Sequence, residues 1–186
     1  MIAVHARYRG RENRRADIVR RSADALATLP GVGTFEHVGV EDIRAHVMGP
    51  AETCDLVMAL LSDGNWAIGI GITDHGPATF AATEAVGTRP AQVRVVVDSV
   101  RDTSDASDIE ATFALIGHVL AKRTVEGREA TSLVRSGRNQ NEAAEVLGIS
   151  KQAMSQRLQA AGWQAEQAGW RLAVNLITRA TAPTTP

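Results

Sequence analysis

The sequence predicts an α+β protein in which a first half that alternates strands and helices is followed by helices alone. Short apolar runs typical of strands alternate with helical segments over residues 1–97, and from residue 109 onward the apolar residues repeat only at helical spacing. The chain has 186 residues, of which 44% are hydrophobic. These values are typical of a globular protein with two domains.

Five strands and three helices are predicted in the first hundred residues. We expect strands at 2–7, 35–40, 44–47, 66–72 and 92–97, and helices at 12–29, 50–61 and 78–86. Gly69 and Gly71 fall on one face of their strand, where another backbone or a ligand can come close. We summarise the order as βαββαβ with one helix inserted. It predicts a ferredoxin-like or nucleotide-cyclase-like sandwich, a single sheet with helices on one face.

Residues 138–158 predict two short helices joined by a tight turn. Asn139 and Glu142 have the spacing of a capping box, Gly148 suits a left-handed turn, and Ser150 is a good cap for the second helix. This arrangement is typical of a helix-turn-helix DNA-binding domain, with a preceding helix at 125–136 as the third element. The alternative is a helical hairpin that only packs.

The second helix of this motif carries the predicted DNA-reading residues. Amide and hydroxyl side chains suit base edges in the major groove, and basic or capping residues suit phosphates. We expect base contacts from Lys151, Gln152, Ser155, Gln156 and Gln159. We expect phosphate contacts from Arg138, Asn139, Ser150 and Arg157. The predicted partner is double-stranded DNA, and no metal or cofactor is expected.

The predicted domains follow from these elements. Residues 1–104 form the sheet domain, 105–123 a linker helix, 124–180 the helix-turn-helix domain and 181–186 a disordered tail. The polar run at 102–108 marks the boundary. Residues 1–105 contain 11 Arg and 14 acidic residues, a net charge of −3, whereas 106–186 contain 9 basic and 7 acidic residues, a net charge of +2. The modest difference favours a phosphate backbone as partner of the second half.

Residues 140–150 read Gln-Asn-Glu-Ala-Ala-Glu-Val-Leu-Gly-Ile-Ser. They resemble the signature Gln-x-Glu-Ala-Ala-x-x-Leu-Gly-Ile-Ser of the fourth region of sigma factors and of LuxR-type regulators. The resemblance covers about sixty residues. It implies a DNA-binding function and also permits docking on RNA polymerase.

The whole chain is similar to the SatD family of bacterial proteins, in which a cyclase-like domain precedes such a DNA-binding unit. The similarity lies in strand 66–72, in Gly76-Pro77-Ala78 with the Ala- and Glu-rich helix that follows, and in residues 39–43, where the family tends to have Gly-Asp-Glu-Phe. In this alignment Arg7 takes the place of the first-strand acid, and Val40 and Glu41 take the places of the hairpin acids. An arginine repels metal ions, so we expect no cyclase activity and no enzyme.

The N-terminal arginines have two functional interpretations besides a solvated surface. They form an anion or effector site, for which the candidates are Arg7, Arg9 and Arg11, or they contact the DNA backbone. The five histidines lack ligand spacing, and Cys54 is expected to be a buried thiol.

The chain is expected to act as a homodimer, because helix-turn-helix proteins usually bind paired half-sites. Three surfaces are candidates for the interface. They are the stripe Ile109, Phe113, Ile116 and Leu120, the last helix with Trp163, Trp170, Val174 and Ile177, and the sheet domain. The N-terminal residues do not resemble a signal peptide, so we expect the protein in the cytoplasm, and on the nucleoid when bound.

Together these observations predict a sequence-specific transcriptional regulator whose N-terminal domain serves dimerisation and possible effector sensing. Two other functions stay open. One is a nucleotide-processing, cyclase-like enzyme with an accessory DNA-binding tail, and the other is a module that docks on RNA polymerase.

Overall fold

The computed structural model describes residues 1–98 and 104–182, except the side chain of Asp98. The first part contains β1 (Ile2–Tyr8), α1 (Arg15–Leu26), β2 (Glu36–His37), β3 (Asp42–Val47), α2 (Pro50–Asp63), β4 (Trp66–Thr73), α3 (Ala78–Ala85) and β5 (Val93–Asp98). The second part contains α4 (Ser104–Ala121), α5 (Val125–Arg135), α6 (Gln140–Val146), α7 (Lys151–Ala160) and α8 (Trp163–Thr181). The mixture of strands and helices confirms the predicted α+β class.

The five strands form one mixed sheet in the order β2-β3-β1-β4-β5. Strand β1 lies at the centre and pairs antiparallel with β3 and β4, whereas β5 pairs parallel with β4. The described part of the first half thus contains the five strands and three helices that were predicted, one strand more than the βαββαβ summary with its inserted helix. Strand β2 is shorter than predicted, with two residues, and β3 begins at Asp42, two residues earlier than predicted.

Helices cover both faces of the sheet, so the prediction of helices on one face is wrong. Alternate residues of β1, such as Val4 and Ala6, face a large core that also contains residues of α1, α2, α4 and α8. Ala3 faces the other way and packs against Ala78 and Ala82 of α3. The alternation of β1 places these two groups on opposite faces of the sheet.

The glycines of β4 explain why α3 fits on the second face. A Cβ atom on Gly69 would lie 2.3 Å from the carbonyl oxygen of Ala82, and one on Gly71 would lie 2.2 Å from that of Ala78. The sequence left open whether a backbone or a ligand approaches these glycines. The backbone of α3 fills the space.

The linker helix and the last helix are both part of the large core. Ile109, Phe113, Ile116 and Leu120 of α4 are buried there, together with Ala173 and Ile177 of α8. This stripe of α4 is therefore used within the chain and is not available for pairing with a second copy. Helix α8 has contacts in both halves, because Trp163 at its start packs against the small core of α5, α6 and α7.

Two boundaries differ from the predictions, one within the polar run 102–108 and one at the C-terminus. Helix α4 begins at Ser104, inside the polar run, and residues 102 and 103 of that run lie outside the described residues. Thr181 is the last residue of α8, and the remainder of the predicted tail, from 183 onward, also lies outside them. None of the helices in the described part of the chain is long and apolar enough to cross a membrane.

We expect Gly71→Ala to lower the free energy of unfolding by about 3 kcal/mol, because the added methyl group would overlap backbone atoms that cannot move independently. Gly117→Ala is the matched control. Its new methyl group would lie 3.5 Å from Cδ2 of Leu61, an ordinary contact, and alanine favours a helix. Urea denaturation measures both changes. Equal stabilities of the two variants would contradict the close approach of α3.

Candidate functional site

The helices α5, α6 and α7 surround a small core of their own. Ala130, Ala143, Ala144, Met154 and Leu158 are buried in it. Leu133 and Val134 of α5 and Leu147 and Ile149 of the turn between α6 and α7 pack against them. The apolar residues of α7 thus point inward, and its polar residues are left for the surface.

The caps predicted for α6 and α7 are present. The side chain of Asn139 accepts hydrogen bonds from the backbone N–H groups of Asn141 and Glu142, and the Glu142 carboxylate accepts one from the N–H of Asn139. The hydroxyl oxygen of Ser150 accepts a hydrogen bond of 3.1 Å from the N–H of Ala153. Gly148 has the left-handed backbone conformation that the turn requires, with φ of +63°. These interactions fix the direction in which α7 leaves the turn.

The predicted base-reading residues lie together on the exposed side of α7. Lys151, Gln152, Ser155, Gln156 and Gln159 are all exposed. Ser155 and Gln159 also line a recess of about 300 Å³ with Gln140, the first residue of α6. The start of α6 and the polar side of α7 therefore belong to one continuous surface.

Two residues of this recess were missed by the sequence analysis. Gln140 and Gln164 bring two more amide groups to the same place as Ser155 and Gln159. The signal for Gln140 was available, since it directly follows the cap Asn139. Gln164 lies in α8 and could not be linked to the motif before the packing of α8 was known.

The predicted phosphate-binding residues are spread around this surface. Arg138, Asn139 and Ser150 are exposed, and Nη1 of Arg138 donates to the hydroxyl of Ser136 at 3.1 Å. Arg157 is half-buried. The pKa of Glu126 is lowered, chiefly by hydrogen bonds to its carboxylate from its own backbone and from Thr124, and to a smaller extent by the charge of Arg157. Arg157 thus lies near the start of α5.

A buried ion pair holds the three short helices on the rest of the chain. Glu166 of α8 is buried, and its carboxylate accepts hydrogen bonds from Arg123, which precedes α5, and from Arg135 at the end of α5. Nε of Arg123 also donates to the carbonyl oxygen of Ala161, just after α7, at 2.8 Å. The guanidinium of Arg135 lies 5.9 Å from the ring centre of Trp163.

Sequence reasoning did not find this cluster, although one signal pointed to it. Glu166 lies three residues after Trp163 and four before Trp170, within the stripe expected to be apolar. An acidic residue in such a stripe needs a buried partner, because an unpaired charge is costly to bury.

Acidic residues compensate the positive charge of the predicted anion or effector site at the N-terminus. Nε and Nη2 of Arg7 donate to the Asp42 carboxylate at 3.0 and 2.8 Å, and Arg9 pairs with Glu41 at 3.3 Å. Arg15 pairs with the same Glu41. Arg11 is exposed. The structure thus brings acidic partners to Arg7 and Arg9, which weakens the attraction of both for an external anion.

The position expected for metal ions in a cyclase does not suit them. Arg9 and Arg15 pair with Glu41, the aligned acidic residue, and Arg7 pairs with the neighbouring Asp42, so guanidinium groups occupy the carboxylates that a cation would need. Among the described residues, no group of three or more His, Cys, Asp or Glu is placed to hold a metal ion. Cys54 is buried, and burial raises the pKa of its thiol to about 12.

His5 lies beside this ion pair, between β3 and α3. The ring is fully buried, with Nδ1 2.9 Å from the Thr83 hydroxyl and Nε2 3.2 Å from the Asp42 carboxylate. Burial lowers the pKa of His5, and the hydrogen bond and charge of Asp42 offset this only in part. Burial would raise the pKa of Asp42, but the hydrogen bonds and charges of Arg7 and His5 bring it below its usual value.

Comparison of the chain with protein-family models, with curated proteins and with solved structures finds no match. The resemblances to the SatD family and to the sigma and LuxR-type units therefore stay predictions.

We expect Glu166→Gln to lower the free energy of unfolding by about 3 kcal/mol, because it leaves the buried guanidinium of Arg123 without its counter-charge. Glu145→Gln makes the same change at an exposed position of α6 and is expected to change stability by less than about 0.5 kcal/mol. Thermal and urea unfolding measure both. An effect of Glu166→Gln as small as that of the control would show that the pair does not hold the helices.

The lowered pKa of His5 predicts a loss of stability in mild acid. The unfolded chain binds the proton at a pH near 6.5, whereas the folded protein binds it only at lower pH. The free energy of unfolding is therefore expected to fall as the pH drops below about 6.5. The contribution of His5 to this fall ends below the pKa of His5 in the folded protein. Denaturation at a series of pH values should show this slope reduced in His5→Gln and unchanged in His75→Gln, an exposed control. An unchanged slope in His5→Gln would contradict it.

Proposed function

We propose that the chain is a sequence-specific DNA-binding transcriptional regulator that is not an enzyme and acts as a homodimer in the cytoplasm. In this proposal α6 and α7 form a helix-turn-helix, with α7 as the recognition helix and α5 as the supporting helix. The observation that carries it is the surface on which Gln140 of α6 adjoins Ser155 and Gln159 of α7. In a helix-turn-helix the recognition helix lies in the major groove while the preceding helix crosses the phosphate backbone, so both helices must contribute to one exposed surface.

The chemistry of α7 suits direct reading of bases. Glutamine amides match the N6 and N7 groups of adenine, and a lysine can donate to guanine. Helix α7 contains Lys151 and Arg157 and lacks acidic residues. The one acidic residue in the first turn of α6, Glu142, is held in the capping box. Phosphates approaching this side therefore meet little repulsion.

The sheet domain is proposed as a ferredoxin-like scaffold. In that fold the second of four antiparallel strands lies at one edge and the first lies between the third and the fourth. The order β2-β3-β1-β4 with antiparallel pairing supports this proposal, and β5 extends the sheet. The carboxylates beside Arg7 and Arg9 favour a structural function for these arginines over effector binding.

The proposal is tested first by selection of bound genomic DNA fragments with the purified protein at physiological salt, since non-specific binding depends on salt. We expect enrichment of an inverted repeat whose half-sites are about 34 Å apart. Enrichment of nothing beyond bulk DNA would contradict the proposal and favour a module that docks on RNA polymerase. Turnover of ATP or GTP with manganese would favour the nucleotide-processing enzyme.

Single substitutions separate base reading from phosphate contact. We expect Gln156→Ala to weaken binding to the selected site by about 1–3 kcal/mol and to relax the sequence preference, because a base contact is lost. Arg138→Ala should weaken binding to all sequences alike and reduce the slope of log K against log salt by about one. Fluorescence anisotropy on cognate and random duplexes measures both.

Gln167→Ala is the control for these substitutions, since Gln167 is an exposed glutamine of α8 outside the recess. It should leave both affinities unchanged. Equal losses on cognate and random DNA for Gln156→Ala and Arg138→Ala would contradict the proposed division of roles.

A further inference from the structure

Helix α4 has an outer stripe that mirrors its buried one. The buried residues Ile109, Phe113, Ile116 and Leu120 follow spacings of four, three and four. The opposite side carries five exposed residues at spacings of three, four, three and four, of which the last lies in the turn after the helix. We call them the outer stripe: Asp108, Ala111, Leu115, His118 and Lys122.

The middle of the outer stripe is apolar. Leu115 is 71% exposed, and no residue from Ala111 to Ala121 is charged. Helices α4 and α8 run antiparallel, since Arg179 near the end of α8 pairs with Asp108 near the start of α4, and Gly169 packs against Ile116. Leu115 follows Asp108 by seven residues, and Leu172 precedes Arg179 by seven. The exposed Leu172 therefore lies at about the same level as Leu115 along the pair of helices.

The ends of the outer stripe carry opposite charges at equal distances from its centre. Asp108 lies seven residues before Leu115, and Lys122 lies seven residues after it. A second copy of α4 placed antiparallel about Leu115 would bring Asp108 opposite Lys122 of that copy at both ends. The stripe is thus complementary in charge to itself, as an isologous interface requires. Antiparallel helix dipoles also attract.

Small residues leave room for the second helix. A groove of about 720 Å³ runs along α4 beside the loop before β5, and Ala111, Ala114 and Gly117 form part of its wall. Arg89 and Glu110 also line this groove. An apolar centre with polar and charged groups around it is typical of protein interfaces.

We propose that the outer stripe is the homodimer interface, with two α4 helices antiparallel and Leu115 at the two-fold axis. This inference rests on the proposed function, in which the protein acts as a homodimer. Helix α8 packs along α4, and only two residues separate it from the end of α7. Pairing through α4 would therefore fix the separation of the two recognition helices.

Sedimentation equilibrium of the full chain over a range of concentrations tests the interface. We expect Leu115→Glu to weaken self-association at least tenfold, because it places two carboxylates together at the axis. Phe80→Glu is the matched control. Phe80 is 61% exposed on α3, on the opposite face of the sheet, so the same kind of change should leave self-association unaltered. Circular dichroism checks that both variants are folded.

A charge exchange tests the antiparallel register. Lys122→Glu should weaken the dimer, because it faces Asp108 of the second copy. The double variant with Asp108→Lys and Lys122→Glu should restore it, since the two charges are exchanged. In the native chain Arg179 pairs with Asp105 as well as with Asp108, and neither variant changes Asp105. Failure of the double variant to recover would overturn the register.

The outcomes for the interface and for the proposed function are distinguishable. A dimer that persists in Leu115→Glu would overturn the interface and leave the DNA-binding proposal standing. A wild-type chain that stays monomeric at every concentration would overturn the interface together with the homodimer. A dimer lost in Leu115→Glu, in a protein that selects no DNA sequence, would support the interface and overturn the regulator.

Discussion

The position of the three short helices depends on the buried carboxylate of Glu166. It accepts hydrogen bonds from Arg123 before α5 and from Arg135 at its end, while Arg123 also reaches the carbonyl oxygen of Ala161 after α7. A buried charge is tolerated only when such partners surround it, and the partners must then keep their places. The ends of α5 and α7 are thereby fixed to the start of α8, and the polar surface of α7 has a defined orientation.

Helix α8 connects the three short helices to the core beneath the sheet. Its start packs in the small core through Trp163, and its later residues Ala173 and Ile177 are buried in the large core. Nε1 of Trp170 donates to Asp55 of α2 at 2.8 Å. The large core and the small core are therefore connected by one continuous helix. Any interface on α4 or α8 would be coupled mechanically to the proposed recognition surface.

On the face of the sheet that α3 covers, packing and charge leave little space for a ligand beside Gly69, Gly71 and Arg7, the residues whose sequence pattern suggested a binding site. The backbone of α3 fills the space above Gly69 and Gly71, and Asp42 is shared by Arg7 and His5. Arg7 stands where a cyclase would have a metal-binding acid, and together with Asp42 and His5 it serves here to join β1, β3 and α3. This difference supports a scaffold function for the sheet domain.

The sequence by itself determined the elements and the caps, because both depend on residues close together in the chain. Asn139 with Glu142, Gly148 and Ser150 act within one helical turn, and the inward residues of α7 follow from its periodicity. Tertiary structure alone decided the side of the sheet covered by α3, the use of the inner stripe of α4 within the chain, and the pairing of Arg123 with Glu166. These contacts join residues far apart in sequence. Arg123 and Glu166, for example, are 43 positions apart. Local spacing identifies a residue that needs a partner, but only the packing of whole elements determines which partner it meets.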